Sequence, residues 1–353
     1  YFRTMINDNF LRACKREKTD HIPVWFMRQA GRYQPEYRKI KETHSINDII
    51  RDPELCAEVT LLPIEQLNVD AAILFSDIMT PIGAMGIPND IKPNYGPVIF
   101  DPIRTKKQIS DIELPDSENK LSHVSETIKI LKEKLQVPLI GFCGAPFTLA
   151  TYIVEGGKSK NYENTKGMLY GNSNQFEFLL DKLTDGMIDY LQMQVNSGVD
   201  AIQVFDSWIG VLDRRSFEEF IAPRMRRLFE AVKQMKVPSI YFGVNTSHLV
   251  DLMKDCGSDV VSVDWRLPIS KKKKKMNYKV AIQGNLDPVW VLCEEEKLKM
   301  KVYDILDQIH AIKKDGFIFN LGHGVLPSFE SSKLRQIVDW VHDYQINGSS
   351  HSV

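Results

Sequence analysis

Residues 135–154, LQVPLIGFCGAPFTLATYIV, contain the pattern that decides the fold. Within them, residues 138–142 form a short and almost wholly apolar run, which is typical of a strand buried on both faces of a parallel sheet. Five residues unfavourable to a continuous apolar helix interrupt the stretch: Gln136, Pro138, Gly141, Gly144 and Pro146. The stretch is therefore rejected as a membrane-spanning helix and predicts a buried strand that ends in a glycine turn.

Comparable runs recur along the chain and alternate with longer amphipathic stretches. The eight predicted strands cover residues 22–26, 71–75, 138–142, 201–205, 238–242, 259–263, 279–283 and 317–320. Predicted helices cover residues 53–67, 175–196, 217–235, 246–254, 294–313 and 332–344, and Asp52 is placed to cap the first of these. Strands that alternate with helices indicate a mainly parallel sheet, and eight such units predict an α/β fold, the (β/α)8 TIM barrel.

The predicted barrel is a single domain over residues 1–346, followed by a flexible tail over residues 347–353. The alternative is a doubly wound sheet with a second domain. No glycine-rich dinucleotide fingerprint follows the first strand, which disfavours that alternative. Residues 81–114, rich in Pro, Asn and Asp, are predicted to be an irregular insertion.

Composition excludes several classes of protein. The 353 residues include 45 Lys+Arg and 46 Asp+Glu, and this formal net charge of −1 argues against bulk binding to nucleic acid or membrane. The five cysteines are scattered without a C-x-x-C pair, which disfavours a disulfide framework and a secreted protein. The run Lys271–Lys275 predicts a solvated surface loop, with a nucleic-acid or targeting segment as the alternative.

Polar residues or glycine turns follow nearly every predicted strand, where the active sites of barrels lie. Arg28 and Arg32 follow the first strand, and if Arg28 begins a helical turn they share a face that could clamp carboxylates. Asp77 follows the second strand, where it would bind ligand N–H groups or form a structural ion pair with one of these arginines. Tyr152 and His323 are further candidates, each weighed against a purely structural role; the glycines around His323 allow unusual backbone angles.

Motifs for other chemistries are missing. The sequence has no H-E-x-x-H pattern, P-loop, G-x-S-x-G elbow or His-x-Cys pair, so we expect no metal site.

These candidate residues lie in sequence blocks through which the chain resembles the uroporphyrinogen decarboxylase family. The similarity is carried by PVWFMRQAGRYQPEY at 23–37 and GFCGAPFTLATYIVEGG at 141–157. Shorter blocks follow in the family's order: FSDI at 75–78, QVFDSW at 203–208, VDWR at 263–266, QGNLDP at 283–288 and NLGHG at 320–324. Lys158, in place of a third glycine, and the five-lysine run depart from the family pattern.

The resemblance implies a (β/α)8 homodimer that removes four acetate carboxyl groups from uroporphyrinogen III without any cofactor. Arg28 and Arg32 match the family's carboxylate-binding arginines, and Asp77 matches the aspartate that binds the pyrrole N–H groups. Further substrate-contacting positions implied by the resemblance are Tyr152, Phe205, Ser207 and His323. The proton donor stays open: Arg28 is the first choice, although arginine is a weak acid, and His323 is better matched to neutral pH. A hydronium ion or a carboxyl group of the substrate is a further alternative.

Two rival functions remain at this point. A cobalamin-linked or thiol methyltransferase would share the fold, but the missing His-x-Cys pair argues against its thiolate–zinc site. A tetrapyrrole-binding protein without activity is disfavoured by the intact Arg28, Arg32 and Asp77. The blocks at 242–249 and 319–327 resemble bacterial and plastid-type members, so we expect a cytoplasmic or plastid enzyme, with any upstream targeting segment missing before Tyr1.

Overall fold

The sheet is parallel and its strand order follows the chain. The computed structural model describes residues 7–92, 95–312 and 315–344, and within them seven strands pair in the order β1-β4-β5-β6-β7-β8-β9. The strands are β1 (Ala72–Ile73), β2 (Asn89–Lys92), β3 (Gly96–Ile99), β4 (Leu139–Gly144), β5 (Ala201–Asp206), β6 (Ser239–Gly243), β7 (Val260–Ser262), β8 (Ala281–Leu286) and β9 (Phe317–Leu321). A doubly wound sheet reverses its strand order, so that alternative is wrong.

Seven of the eight predicted strands are confirmed, and with them the α/β class. The exception is the run at 22–26, where Val24 forms a single parallel bridge to Phe319. The chain turns away early because the Phe26 amide donates to the side chain of Gln29 at 3.1 Å rather than to a neighbouring strand. The described residues therefore form a seven-stranded parallel sheet with one bridging residue.

Helices connect successive strands along the described chain. They are α1 (Asn9–Cys14), α2 (Pro35–Lys41), α3 (Ile46–Arg51), α4 (Pro53–Leu67), α5 (Thr80–Ala84), α6 (Lys106–Ser110), α7 (Ser117–Lys120), α8 (Ser122–Lys134), α9 (Pro146–Glu155), α10 (Glu163–Gly171), α11 (Ser173–Ser197), α12 (Arg214–Ser216), α13 (Ala222–Gln234), α14 (Val250–Lys254), α15 (Ile269–Lys275), α16 (Glu295–Ile312) and α17 (Ser331–Asp343). Two 3₁₀ turns, Ile209–Val211 and Pro288–Leu292, and one π-helical turn, Phe217–Ile221, complete the set.

The predicted helices correspond to observed helices, with shifted ends in several cases. Helix α4 spans the predicted 53–67, and Asp52 caps it by accepting the amides of Glu54 and Leu55, each at 3.1 Å. The predicted 246–254 helix is shorter, because α14 begins only at Val250. None of the helices in the described ranges is both long and apolar enough to cross a membrane.

The insertion at 81–114 is more regular than predicted. Strands β2 and β3 form an antiparallel hairpin in which Asn89 pairs with Ile99 and Lys92 pairs with Gly96. Helix α6 follows it, beginning with a capping box in which Thr105 and Gln108 exchange hydrogen bonds. Local capping and strand pairing thus give this polar segment an order that its composition does not indicate.

The lysine run is not a solvated loop, so that prediction is wrong. It forms α15, and the side chains of Lys272 and Lys273 are buried. Lys273 Nζ donates to the carbonyl oxygen of Asp315 at 3.0 Å, and Lys272 Nζ pairs with the carboxylate of Asp264. Buried ammonium groups are tolerated where such acceptors replace water. The predicted tail at 347–353 lies outside the described residues.

Candidate active site

The carboxyl ends of the parallel strands place the predicted site residues at one edge of the sheet. Asp77 follows β1, Phe205 is the penultimate residue of β5 with Ser207 just beyond its end, and His323 follows β9. Tyr152 lies in α9, the helix directly after β4. This arrangement agrees with the predicted position of the site.

The loop that carries Arg28 is tied to β9 and to the segment after it. The Met27 amide donates to Asn320 Oδ1 at 3.2 Å, and the Val325 amide donates to the Met27 carbonyl at 2.9 Å. Arg28 itself is exposed, adopts a left-handed backbone with φ of +60°, and forms no ion pair within the described ranges. The guanidinium is therefore available to an anionic ligand.

Arg28 does not begin a helical turn, so the predicted reason for pairing it with Arg32 is wrong. Both arginines are exposed, but the chain between them is a non-helical loop, and α2 begins only at Pro35. Gln29 fixes this loop: its side chain donates to the Ala71 carbonyl at 3.0 Å. Arg32 is thus placed by loop contacts rather than by helical spacing.

Asp77 is half-buried and has no ion pair among the described residues, so the alternative of a structural pair with Arg28 or Arg32 is wrong. Its Oδ1 accepts the Met79 amide at 2.8 Å. Burial raises the pKa of Asp77, while the Met79 amide and the positive charge of Arg28 oppose this rise. A carboxylate in this position can accept further hydrogen bonds from a ligand.

His323 lies beside two arginines. Its Nδ1 accepts the Gly324 amide at 2.7 Å, which leaves the ring proton on Nε2. Burial, together with the positive charges of Arg28 and Arg266, lowers the pKa of His323 to about 4. In the free protein His323 is therefore a neutral hydrogen-bond donor at neutral pH.

The glycines around His323 are needed for close packing and not, as predicted, for unusual backbone angles. Neither Gly322 nor Gly324 has a positive φ. A Cβ on Gly322 would lie 2.7 Å from Trp265 Cε3, and a Cβ on Gly324 would lie 2.5 Å from Arg28 Cδ. A side chain at position 322 would meet backbone atoms and the indole of Trp265, whereas one at position 324 would require the flexible Arg28 side chain to move.

Aromatic rings line the same edge. Phe205 packs edge-on against Phe142 and Phe242, with ring centroids 5.3 and 5.6 Å apart, and Phe242 in turn lies 6.3 Å from the ring of His323. A second row joins Tyr152 to Trp208 at 6.1 Å. Burial and the nearby Asp77 raise the pKa of Tyr152, so its hydroxyl stays protonated. This edge of the sheet thus combines aromatic rings with neutral and cationic hydrogen-bond donors.

Two residues in this region were not predicted from the sequence to belong to the site. Asp206 lies fully buried beneath Phe205 and accepts hydrogen bonds from Thr148 Oγ1 at 2.6 Å and Tyr241 Oη at 2.9 Å. Burial raises its pKa to about 6. The second is Arg266, which appears in the sequence only as part of the VDWR block. It follows the predicted strand at 259–263, much as Asp77 follows the strand at 71–75, and this position after a strand is the signal that could have identified it.

A cluster with metal-type side chains lies at the opposite end of the sheet. The rings of His21 and His342 each donate from Nε2 to the carboxylate of Asp70 at 2.7 Å. Asp70 also accepts the amide of Asn7 and the backbone amide of Val24, each at 2.7 Å. These contacts tie the two ends of the described chain to the start of β1.

Comparison with known proteins identifies the family. Residues 5–344 match the uroporphyrinogen decarboxylase (URO-D) family. The chain belongs to this family. A uroporphyrinogen decarboxylase of Bacillus pumilus is 49% identical over 348 residues, which cover 98% of each chain. A uroporphyrinogen decarboxylase of Bacillus cereus is 47% identical over 340 residues, covering 96% of this chain and 97% of the relative.

Solved structures of lower identity share the fold. A methyltransferase from Methanosarcina mazei superposes with a TM-score of 0.81 at 19% identity, over 97% of this chain and 99% of that chain. A B12-independent methionine synthase from Shewanella superposes with a TM-score of 0.56 at 10% identity, over 85% of this chain and 88% of that chain. At these identities the likeness concerns the fold of this member of the decarboxylase family and not its chemistry.

Proposed function

We propose that the chain converts uroporphyrinogen III to coproporphyrinogen III and four CO₂ at the cleft that contains Asp77, Arg28 and His323. Family membership and the names of its relatives make it an enzyme of haem biosynthesis, a carboxy-lyase. The observation that carries the residue assignment is the half-buried Asp77 carboxylate, which has no ion pair among the described residues and lies near the exposed Arg28 and aromatic rings.

Each decarboxylation needs a place for the electron pair of the breaking bond. Protonation of the pyrrole ring gives a cation, and the pair from the acetate C–C bond then neutralises it as CO₂ leaves. A second proton adds to the exocyclic carbon to form the methyl group, and the ring loses the first proton. Asp77 stabilises the cation, because a carboxylate acts strongly on a charge that develops where water is excluded.

Substrate binding divides between the other residues. The pyrrole N–H groups of a reduced, domed macrocycle converge on Asp77. Arg28 and Arg32 bind substrate carboxylates by forked hydrogen bonds. Tyr152, Ser207 and His323 contact the substrate through polar groups, and Phe205 forms an apolar wall.

Arg28 is the proton donor in this proposal. His323 is disfavoured because its pKa of about 4 leaves it neutral, and a neutral imidazole is a very weak acid. Arg28 carries a proton and forms no ion pair within the described part of the chain, so it can approach a substrate ring.

Four broader expectations belong to the same proposal. The Val24–Phe319 bridge and the hydrogen bond from the Asp70 amide to the Val24 carbonyl, at 2.8 Å, support closure of the sheet into a (β/α)8 barrel. A homodimer, a cytoplasmic or plastid location and activity without a cofactor stay predictions. Sedimentation would test whether the chain forms a homodimer.

An anaerobic assay with reduced uroporphyrinogen III tests the function directly. We expect products with seven, six, five and then four carboxylates to appear in sequence without added metal or cofactor. A folded sample that removes no carboxylate would contradict the proposal, and product analysis with a methyl acceptor would then test the methyltransferase alternative.

A further inference from the structure

Arg266 follows the carboxyl end of β7, and its guanidinium lies over the ring of Trp265. Its Cζ lies 4.7 Å from the centre of the Trp265 ring, a cation–π arrangement that orients the group. Its Nη1 donates to Asp264 Oδ2. The other N–H groups of the guanidinium have no acceptor in the part of the chain that the structure describes, and 42% of the side chain is exposed.

The positive charges around Asp264 outnumber its single negative charge, and Arg266 carries the excess. The Asp264 side chain is fully buried, and its Oδ1 pairs with Lys272 Nζ, whose side chain is also fully buried. The Asn245 amide adds a hydrogen bond to Oδ2 at 2.7 Å. One carboxylate thus faces two cations, so the group carries a net positive charge. Because Lys272 already compensates Asp264, the charge of Arg266 remains available to an anion.

The position of this group places Arg266 in the active site. A Cβ on Gly322 would lie 3.0 Å from the backbone nitrogen of Trp265, so the segment that carries His323 packs directly on the Trp265–Arg266 turn. On the other side of His323, a Cβ on Gly324 would lie 2.5 Å from Arg28 Cδ, so the Arg28 side chain packs on the same segment. The turn that carries Arg266 and the side chain of Arg28 therefore both contact the segment around His323, and the positive charges of the two arginines accordingly lower the pKa of His323.

We propose that Arg266 binds a carboxylate of the substrate on the His323 side of the cleft, and that Asp264 and Lys272 are positioning residues that orient its guanidinium. The inference rests on the proposed function, since it assigns one of the substrate's carboxylates to a third arginine. A planar guanidinium with free donors on one edge matches a carboxylate bidentately, and Trp265 keeps that edge in place.

The test measures steady-state kinetics with reduced uroporphyrinogen III for the wild type, Arg266→Gln and Arg266→Lys. Loss of one partly exposed charge-assisted contact predicts a rise in KM of about tenfold for Arg266→Gln, with kcat within about twofold of the wild-type value. Arg266→Lys keeps the charge but loses the fork, so its KM should fall between the two. The matched control is Arg215→Gln, which removes a 90%-exposed arginine on α12 and should leave both constants unchanged.

The double variant Asp264→Asn/Lys272→Met tests the positioning residues without leaving a buried charge unpaired. We expect its KM to rise while kcat is retained, because the Arg266 guanidinium loses its carboxylate anchor. Adding Arg266→Gln to this background should raise KM by less than it does in the wild type, since the two changes affect one contact.

The outcomes separate the two proposals. An inactive but folded wild-type protein would contradict the proposed function. An active wild type with unchanged KM in Arg266→Gln, or with a loss confined to kcat, would overturn the role of Arg266 alone. Thermal unfolding of every variant identifies effects that arise from misfolding.

Discussion

Arg28 crosses the backbone of Gly324 so closely that a Cβ at position 324 would lie 2.5 Å from Arg28 Cδ and 3.1 Å from its Nε. The two residues stand almost 300 positions apart in the sequence. They meet because the Val325 amide donates to the Met27 carbonyl, which joins the Arg28 loop to the segment after β9. The glycine therefore provides the space in which the Arg28 side chain reaches the cleft.

Gly324→Ala should displace Arg28 without unfolding the protein. The obstructed atoms belong to a flexible side chain, so the main consequence is a misplaced guanidinium, and misplacement of about 1 Å can reduce a rate by about a hundredfold. We expect kcat/KM to fall by at least about tenfold with little change in Tm. The control is Gly167→Ala in α10, where the new Cβ would meet no described atom within 4 Å apart from its own stretch of helix, and activity should be unchanged. Wild-type activity in Gly324→Ala would contradict this account of Arg28.

Asp77→Asn should nearly abolish turnover. The amide keeps the size of the side chain but removes the negative charge that stabilises the pyrrole cation, so we expect kcat to fall by about a thousandfold or more. Asp77→Ala should lose at least as much. Circular dichroism checks the fold, and Asp111→Asn, at an exposed position after α6, provides a charge-matched control. Retention of most activity in either Asp77 variant would exclude the proposed role.

His323→Asn should lower the rate without changing the shape of the pH–rate profile. Because the pKa of His323 is lowered to about 4 in the free protein, its protonation does not change between about pH 5.5 and 8.5. Loss of its hydrogen bond should reduce kcat/KM by about tenfold. If a limb of the kcat/KM profile disappears in the variant, His323 is a titrating acid or base and Arg28 is not needed as the proton donor.

The hydrogen bonds of Asp70 predict a pH-dependent stability. Burial alone would raise the pKa of Asp70, but hydrogen bonds from the rings of His21 and His342 outweigh it, and the pKa lies below its usual range. Its stabilising effect is therefore present above the unfolded pKa of about 3.9 and is lost as the pH falls further. The hydrogen bond to Asp70 raises the pKa of His21. The stabilisation that protonated His21 contributes is therefore complete below its unfolded pKa of about 6.5, and it is lost as the pH rises through the pKa of His21 in the folded protein.

Asp70→Asn should therefore reduce the free energy of unfolding by about 2–4 kcal/mol, through the loss of charge-assisted hydrogen bonds to a buried carboxylate. The deficit relative to the wild type should be greatest between about pH 4 and 6.5 and smaller on either side. Urea unfolding across this range measures it. Asp111→Asn, which changes an exposed aspartate outside this cluster, should stay near the wild-type curve. A deficit that does not vary with pH would contradict the linkage to His21.

The sheet could be predicted in large part from local patterns, because apolar runs of strand length alternate with amphipathic stretches. The first predicted strand, residues 22–26, does not continue as a strand in the structure, because its Phe26 amide donates to the side chain of Gln29, three residues beyond it. The lysine run failed as a loop because its acceptors, Asp264 and the Asp315 carbonyl, lie elsewhere in the sequence. A run of like charges does not indicate which of its side chains will fold back onto a nearby carboxylate such as Asp264, or onto a carbonyl 42 residues away such as that of Asp315.

By itself, the sequence determined the α/β class, the family, and the identity of the residues that follow the strands, because periodicity and short motifs are local properties of the chain. Only the tertiary structure decided how those residues act together. It packed the Trp265–Arg266 turn on Gly322 and the Arg28 side chain on Gly324, and it buried Lys272 as the counter-ion of Asp264. The glycine contacts join segments far apart in the chain, and burial, charge balance and available space are set only when the sheet has assembled.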